Sequence, residues 1–419
     1  MVIYLNFNKL LVIALLSAMS SFTTISAKEN NDLAPEVTAE EAAISFWELP
    51  YLENAFIDTM PAEREDGLVV SSMVANGGNK AMMVKLAQEI AGKQYGKLDS
   101  LLVARQGKLI FESYYLRGRV NLAHGQASAV KAYTSLALGR AIQLGYLTMA
   151  DLDKPLIHFL KDLDREKLVQ GADTITLHKA LTMHGGLSLS EEQSKALEKP
   201  ASKLKGQGFV QTLLEQSAPI TPKSQIYQYG NYNPMLVMTV IDAVVPGSAK
   251  EFIKHEILDK LAITNYSWDE HVSGLPEAGW RVSMTSRDML KLGFLVANKG
   301  KWQGEQLISA DYLAKATSGL VKPTQDWMPD NYRYGYFWYQ TVMTVDDKSY
   351  DATFAWGGGG QRVIVIADLD LTIVITAHDR EDQIMAQISN TVIPAFAEKG
   401  KNHDSNVLVN SPKIKIDSI

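Results

Sequence analysis

Behind Ser128 the chain places Val130, Tyr133, Leu136, Leu138, Ala141 and Ile142 at the spacing of a helix with a buried face, and Gly145 stops it. Two apolar runs, 101–104 and 109–115, flank Arg105-Gln-Gly-Lys108 and predict a hairpin. A second hairpin is predicted from 363–366 and 371–376 around Asp368-Leu-Asp370. Thr285 or Ser286 starts a helix that ends near Gly300, and 382–397 carries a final amphipathic helical pattern. Residues 41–97 read as helices and loops, and 128–300 as mainly helical, broken by Gly and Pro. Strands at both ends with helices between predict an α+β fold. One antiparallel sheet would be built from both ends of the chain, flanked by helices and carrying a mainly helical inserted subdomain. No internal repeat interrupts this order.

Three short motifs are set on that frame: Ser128-Ala-Val-Lys131, Tyr229-Gly-Asn231 and Trp356-Gly357-Gly358. Ser-x-x-Lys also occurs at Ser202/Lys205, but inside a charged, Pro-containing stretch that reads as a solvated loop. A serine at a helix start is ordinarily an N-cap. Its hydroxyl becomes a nucleophile only where a base takes its proton. Lys131, three residues on, shares its helix face. The positive helix N-terminus and burial among Val130, Ala132 and Tyr133 both favour a neutral, basic lysine. Tyr229 would carry the proton onward, and Asn231 has a donor and an acceptor with which to fix the lysine and a substrate carbonyl. Without Ser128, the Tyr-Gly-Asn stretch would be read as a tyrosine packed at a turn.

The glycines from Gly357 to Gly360 lack a Cβ and so let backbone N–H groups approach a reacting carbonyl. Gly358 or Gly359 would join the Ser128 N–H as an oxyanion site. The alternative is a flexible turn before Arg362-Val-Ile-Val-Ile366. No Gly-x-Gly-x-x-Gly lies between a strand and a helix, and no Gly-x-Ser-x-Gly elbow occurs. His124, four residues before Ser128, could touch this site or be a loop histidine with satisfied hydrogen bonds. The aromatic stretch of Trp327, Tyr332, Tyr334, Tyr336, Phe337, Trp338 and Tyr339 combines ordinary strand packing with residues able to line an apolar acyl pocket.

With these motifs in order, the chain resembles the β-lactamase-related serine hydrolases, which include class C β-lactamases, D,D-peptidases, family VIII carboxylesterases and aminohexanoate-dimer hydrolases. The likeness extends over about 98–397. It takes in the first hairpin, Ile175-Thr-Leu-His-Lys-Ala-Leu-Thr-Met-His-Gly-Gly-Leu187, Thr285-Ser-Arg-Asp-Met-Leu-Lys-Leu-Gly293 with Gly300-Lys-Trp-Gln-Gly304, and Tyr334-Gly-Tyr-Phe-Trp338. It implies a β-lactamase/penicillin-binding-protein-like fold with the active site between sheet and helical lobe. It also implies an acyl-enzyme at Ser128, served by Lys131, Tyr229 and Asn231, and no metal or organic cofactor. Antibiotic-binding members usually carry Lys-Thr-Gly or His-Thr-Gly where this chain has Trp356-Gly-Gly, as some family VIII esterases do. That departure argues against recognition of a β-lactam or D-Ala carboxylate and for a neutral ester or amide. The substrate expected is a small ester, amide or lactam. A catalytically silent member that binds cell-wall peptides or a partner protein is the contrasting expectation.

Composition adds an address. The chain has 419 residues, 46% hydrophobic and 21% charged, ample for one large core with an inserted subdomain. Lys9, the apolar stretch 10–16 and Ile25-Ser-Ala27 predict a cleaved export signal over 1–27, with an apolar run too short to span a bilayer. A polar linker (28–40), a helical lead-in (41–97), the catalytic domain (98–397) and a polar tail (398–419) follow. Loss of Lys9 with the signal takes the formal charge from −6 to −7, and without basic clusters the chain does not suit nucleic acid. With no cysteine there is no disulfide, thiolate metal site or lipid-modified cysteine, so no membrane anchor is expected after cleavage. His255-Glu-Ile-Leu-Asp259 begins like a zinc-protease helix but lacks the second histidine. A periplasmic or secreted enzyme is the expectation.

Overall fold

The computed structural model describes residues 33–380 and 383–397. The expected signal, residues 28–32 of the polar linker and the polar tail lie outside the described residues, as does Asp382.

The first predicted hairpin is β3 (Leu98–Arg105) and β4 (Lys108–Tyr114), closed by a two-residue turn in which Gln106 and Gly107 both have positive φ, 51° and 72°. That turn matches the right-handed twist of the strands it joins. The second hairpin is β8 (Gln361–Ile366) and β9 (Leu371–Ala377). β9 pairs antiparallel with β3, so the two ends of the chain meet in one sheet, as the pattern predicted.

The lead-in differs from expectation. Besides α1 (Lys80–Ala91), the segment 41–97 supplies β1 (Phe56–Asp58), antiparallel to β4, and β2 (Val69–Val70), parallel to it. Strands of two and three residues carry too few positions for a period-2 signal. On the far side β5 (Arg333–Tyr334), β6 (Tyr339–Val345) and β7 (Lys348–Gly357) complete nine strands in the order β1-β4-β3-β9-β8-β7-β6-β5, with β2 off the path. The polar linker is also not wholly irregular, because Thr38 caps a short helix, Ala39–Ala42, through a reciprocal capping box with Glu41.

Every position of β8 and β9 is buried, so both faces of the central sheet are covered. The helix α4 (Ser286–Ala297), capped by Thr285, lies across β3, β8 and β9; a Cβ on its Gly293 would fall 2.5 Å from Thr372 Cγ2, so close packing requires glycine there. The helical run of 384–396 packs with α1 and against β6. The middle of the chain is mainly helical, led by α2 (Val130–Gln143) and α3 (Tyr232–Val244), which contact one another. This α+β arrangement sets the start of α2 against β7 and β8.

Candidate active site

Ser128 lies in a 3-10 turn, Ala127–Ala129, that runs into α2. The residue before it, Ala127, is held at φ 45°, a left-handed conformation costly for a residue with a Cβ. Ser128 is not the cap of α2. The helix has no side-chain cap, and the serine Oγ instead lies 3.1 Å from Lys131 Nζ. Lys131 is 1% exposed and donates its other hydrogen bond to the Gly279 carbonyl, also at 3.1 Å. Burial pushes its ammonium from the ordinary 10.5 down to about 7, against the opposing pull of the buried Glu277 carboxylate. Glu277 is itself engaged by Arg281 at 3.1 Å.

Tyr229 sits just before α3 and presents its ring to Lys131, with Nζ 4.9 Å from the centroid. Its phenol hydrogen-bonds with the Ser128 and Tyr339 hydroxyls, while burial raises it above the ordinary tyrosine range. Two proton carriers with opposite shifts therefore flank one serine. A neutral amine can take the Ser128 proton, and a phenol that keeps its own proton can donate one. Asn231 comes to the same place: it is exposed, and a Cβ on Gly279 would fall 2.9 Å from its Oδ1 and 3.4 Å from Lys131 Nζ. The Gly279 carbonyl also holds Lys131, by the hydrogen bond it accepts.

Trp356 and Gly357 close β7, and Gly358, Gly359 and Gly360 form the turn into β8, so the third motif is the end of one strand and the hairpin that follows. The turn reading and the oxyanion reading thus describe the same atoms. A Cβ on Gly357 would fall 2.2 Å from the Gln126 carbonyl, and glycine there lets the strand reach the nucleophile turn. Ser128, Tyr229, Trp327, Tyr339, Trp356, Gly358, Gly359, Gly360 and Arg380 line a cavity of about 380 Å³. Trp356 stacks edge-on with Trp327 at 5.7 Å and with Tyr339 at 5.5 Å, and Arg362 lies over its ring at 4.8 Å. Of the aromatic stretch, Trp327 and Tyr339 reach the cavity, whereas Tyr336, Phe337 and Trp338 are core.

The second Ser-x-x-Lys is exposed at both Ser202 and Lys205, as a solvated stretch should be, and His255 is an exposed partner of Asp259 at 2.9 Å. The residues that sequence reasoning missed are Gly279, Tyr339 as a partner of Tyr229, and Arg380. A backbone carbonyl has no residue-type signature, and Arg380 reaches the cavity from the loop after β9, far from any motif.

A half-buried serine on a buried lysine beside a tyrosine, on a sheet made from both chain ends, is matched by a family model described as Beta-lactamase over residues 90–390. The chain belongs to the beta-lactamase family. This is a family of serine hydrolases, and the match spans the hairpin, all three motifs and β9. Among solved structures, a provisionally named 6-aminohexanoate-dimer hydrolase from Bacillus anthracis is 18% identical with a TM-score of 0.58, covering 73% of this chain and 80% of its own. A class C beta-lactamase is 14% identical with a TM-score of 0.57, covering 77% and 97%. EstCE1, a hydrolase with promiscuous acyltransferase activity, is 14% identical with a TM-score of 0.57, covering 77% and 99%. None of the curated protein sequences matches this beta-lactamase-family chain. At such identities the neighbours share the fold.

Proposed function

We propose that this chain is an exported serine hydrolase that forms an acyl-enzyme at Ser128, with neutral carboxylic esters as its first substrates and amides next. The observation that carries the reading is the Lys131 amine, desolvated and 3.1 Å from Ser128 Oγ. In the forward step Lys131 accepts the Ser128 proton as Oγ attacks the carbonyl. The Ser128 N–H and a glycine N–H of the hairpin turn, with Gly359 as the candidate, hold the oxyanion. Tyr229 passes a proton to the leaving oxygen, and water then repeats the sequence to release the acid. Asn231, beside Gly279 and Lys131, is assigned to fix the lysine and a substrate carbonyl. The aromatic wall of Trp327, Tyr339 and Trp356 suits an apolar acyl group. The export pattern in residues 1–27 supports a periplasmic or secreted location.

The test is incubation with p-nitrophenyl butyrate, acid quench and peptide mapping. Release of p-nitrophenol with a butyryl group on the peptide carrying Ser128 is expected. No turnover, or turnover with the acyl group on another residue, would sink the reading.

A second reading, a β-lactamase or D-amino-acid peptidase, is favoured by Arg380, a cation on the wall of a cavity otherwise formed by a serine, aromatics and glycines. A guanidinium is built to hold a carboxylate. Arg380→Ala is expected to leave p-nitrophenyl butyrate turnover within about twofold. It should cost about tenfold in kcat/KM on the p-nitrophenyl monoester of succinic acid, the worth of a charged hydrogen bond. Equal losses on the two esters would remove the support for acidic substrates.

A further inference from the structure

Outside the cavity the chain buries a carboxylate that the proposed reaction does not use. Asp99, on β3, is fully buried. Its Oδ1 accepts the Arg117 N–H at 3.0 Å, and its Oδ2 lies 3.1 Å from His124 Nε2 and 2.7 Å from His378 Nδ1. Burial opposes its ionisation, yet the hydrogen bonds from the two histidines hold its carboxyl below the ordinary range.

The two histidines differ in what faces their second nitrogen. His124 Nδ1 is 3.1 Å from the Gly125 carbonyl, so both of its ring nitrogens face oxygen acceptors. His378 Nε2 is 3.2 Å from Arg117 Nη1, which can only donate, and 3.2 Å from the Tyr51 hydroxyl. That nitrogen faces a donor, and Nδ1 faces the Asp99 carboxylate. Phe46 covers His124 edge-on at 4.7 Å, while Arg117 also ties down the Trp47 carbonyl at 2.8 Å. Lys93 lies over the Tyr51 ring at 5.3 Å, and Asp379, next to His378, accepts the Lys97 N–H at 3.1 Å.

Each histidine is chained to one side of the acyl site. His124 is four residues before Ser128, and its carbonyl accepts from the Gln126 side chain at 2.7 Å; the Gln126 carbonyl is the atom against which Gly357 packs. His378 precedes Asp379, whose N–H donates to the Gly359 carbonyl at 3.1 Å. We infer that Asp99, held between His124 and His378, is the positioning anchor that sets the spacing between the nucleophile turn and the glycine turn. The inference rests on the acyl-transfer reading of that site. The anchor touches no substrate. Its effect is on the two backbone donors, where a misplacement of about 1 Å costs on the order of a hundredfold in rate.

The readout is Asp99→Asn with p-nitrophenyl butyrate, where kcat should fall by about tenfold to a hundredfold with KM within about twofold. His124→Gln, which keeps a donor toward Asp99, should retain more of kcat than His124→Leu. A folded Asp99→Asn protein with wild-type kcat, or a loss confined to KM, overturns the anchor; if that variant does not fold, the His124→Gln and His124→Leu pair decides in its place. If the wild type turns over no ester, the rate at which a fluorophosphonate labels Ser128 replaces kcat in the same comparisons. In that case the failure belongs to the substrate reading and not to the anchor.

Discussion

Lys131→Met should take ester hydrolysis down to the residual rate that the oxyanion donors and binding alone support and at the same time stabilise the fold. Methionine fills the same straight cavity without the amine, so Ser128 keeps its place and loses its base. Ser128→Ala should reach the same floor, and the double variant should fall no further, because the two residues act as one unit. The stability gain follows from linkage. The unfolded lysine holds its proton up to about 10.5, and the folded one gives it up near about 7. Between those limits the unfolded chain binds more protons, so wild-type stability rises with pH there, and the cost of the buried charge is greatest at and below about 7. A shift of that size is worth on the order of 4–5 kcal/mol. Losing the donor to the Gly279 carbonyl gives back about 1–3 kcal/mol. A net gain of about 2 kcal/mol is expected at neutral pH, fading toward about 10.5, and denaturant midpoints measured across that range check it. The same lysine sets the pH profile of the wild type, in which kcat/KM should climb as pH rises through about 7 and the amine becomes neutral. A Lys131→Met protein that is active, or less stable than wild type at neutral pH, contradicts this account.

What could be seen in the sequence divides by the range of the interaction. Ser128 and Lys131 are three residues apart on one helix, so their meeting follows from helical geometry. The hairpins around Gln106-Gly107 and Asp368-Leu-Asp370 were equally local, since their turn chemistry fixes the pairing of the strands. Tyr229 was legible only through a motif, because a hundred residues separate it from Ser128 and nothing in its own neighbourhood demands the contact. Asn231 was legible by the same route, and the fold adds beside it the Gly279 carbonyl on the Lys131 amine, which any residue type could have supplied. The strands at 56–58 and 69–70 were invisible for a different reason: they are too short to show a period, and their pairing with β4 is a tertiary event. His124 and Asp99 are 25 residues apart, and His378 lies 279 residues from Asp99. Only the meeting of both chain ends in one sheet turns three unremarkable polar residues into a buried cluster.

Gly357→Ala is expected to be the most damaging single methyl group in the glycine run. Its Cβ would fall 2.2 Å from the Gln126 carbonyl, where ordinary contact begins near 3.4 Å, so strand and nucleophile turn must part by about an ångström. Neither side yields easily. Gln126 is held by its N–H to the Val282 carbonyl at 2.8 Å and by the Tyr133 hydroxyl at 2.9 Å, and β7 is paired with β6 and β8. The displacement should cost about 1–3 kcal/mol in stability. It also widens the gap between the Ser128 N–H and the glycine turn, with a fall in kcat on the order of a hundredfold. Gly358→Ala is the internal comparison: nothing lies within 4 Å of its Cβ and its φ is not in the left-handed region, so the fold should keep its wild-type stability. Thermal melting and p-nitrophenyl butyrate turnover of the two variants, measured side by side, separate close approach from mere loss of turn flexibility. If flexibility were what the glycines supply, the two alanines would behave alike. If the nucleophile turn and β7 must touch for the oxyanion site to exist, only Gly357→Ala loses both stability and rate.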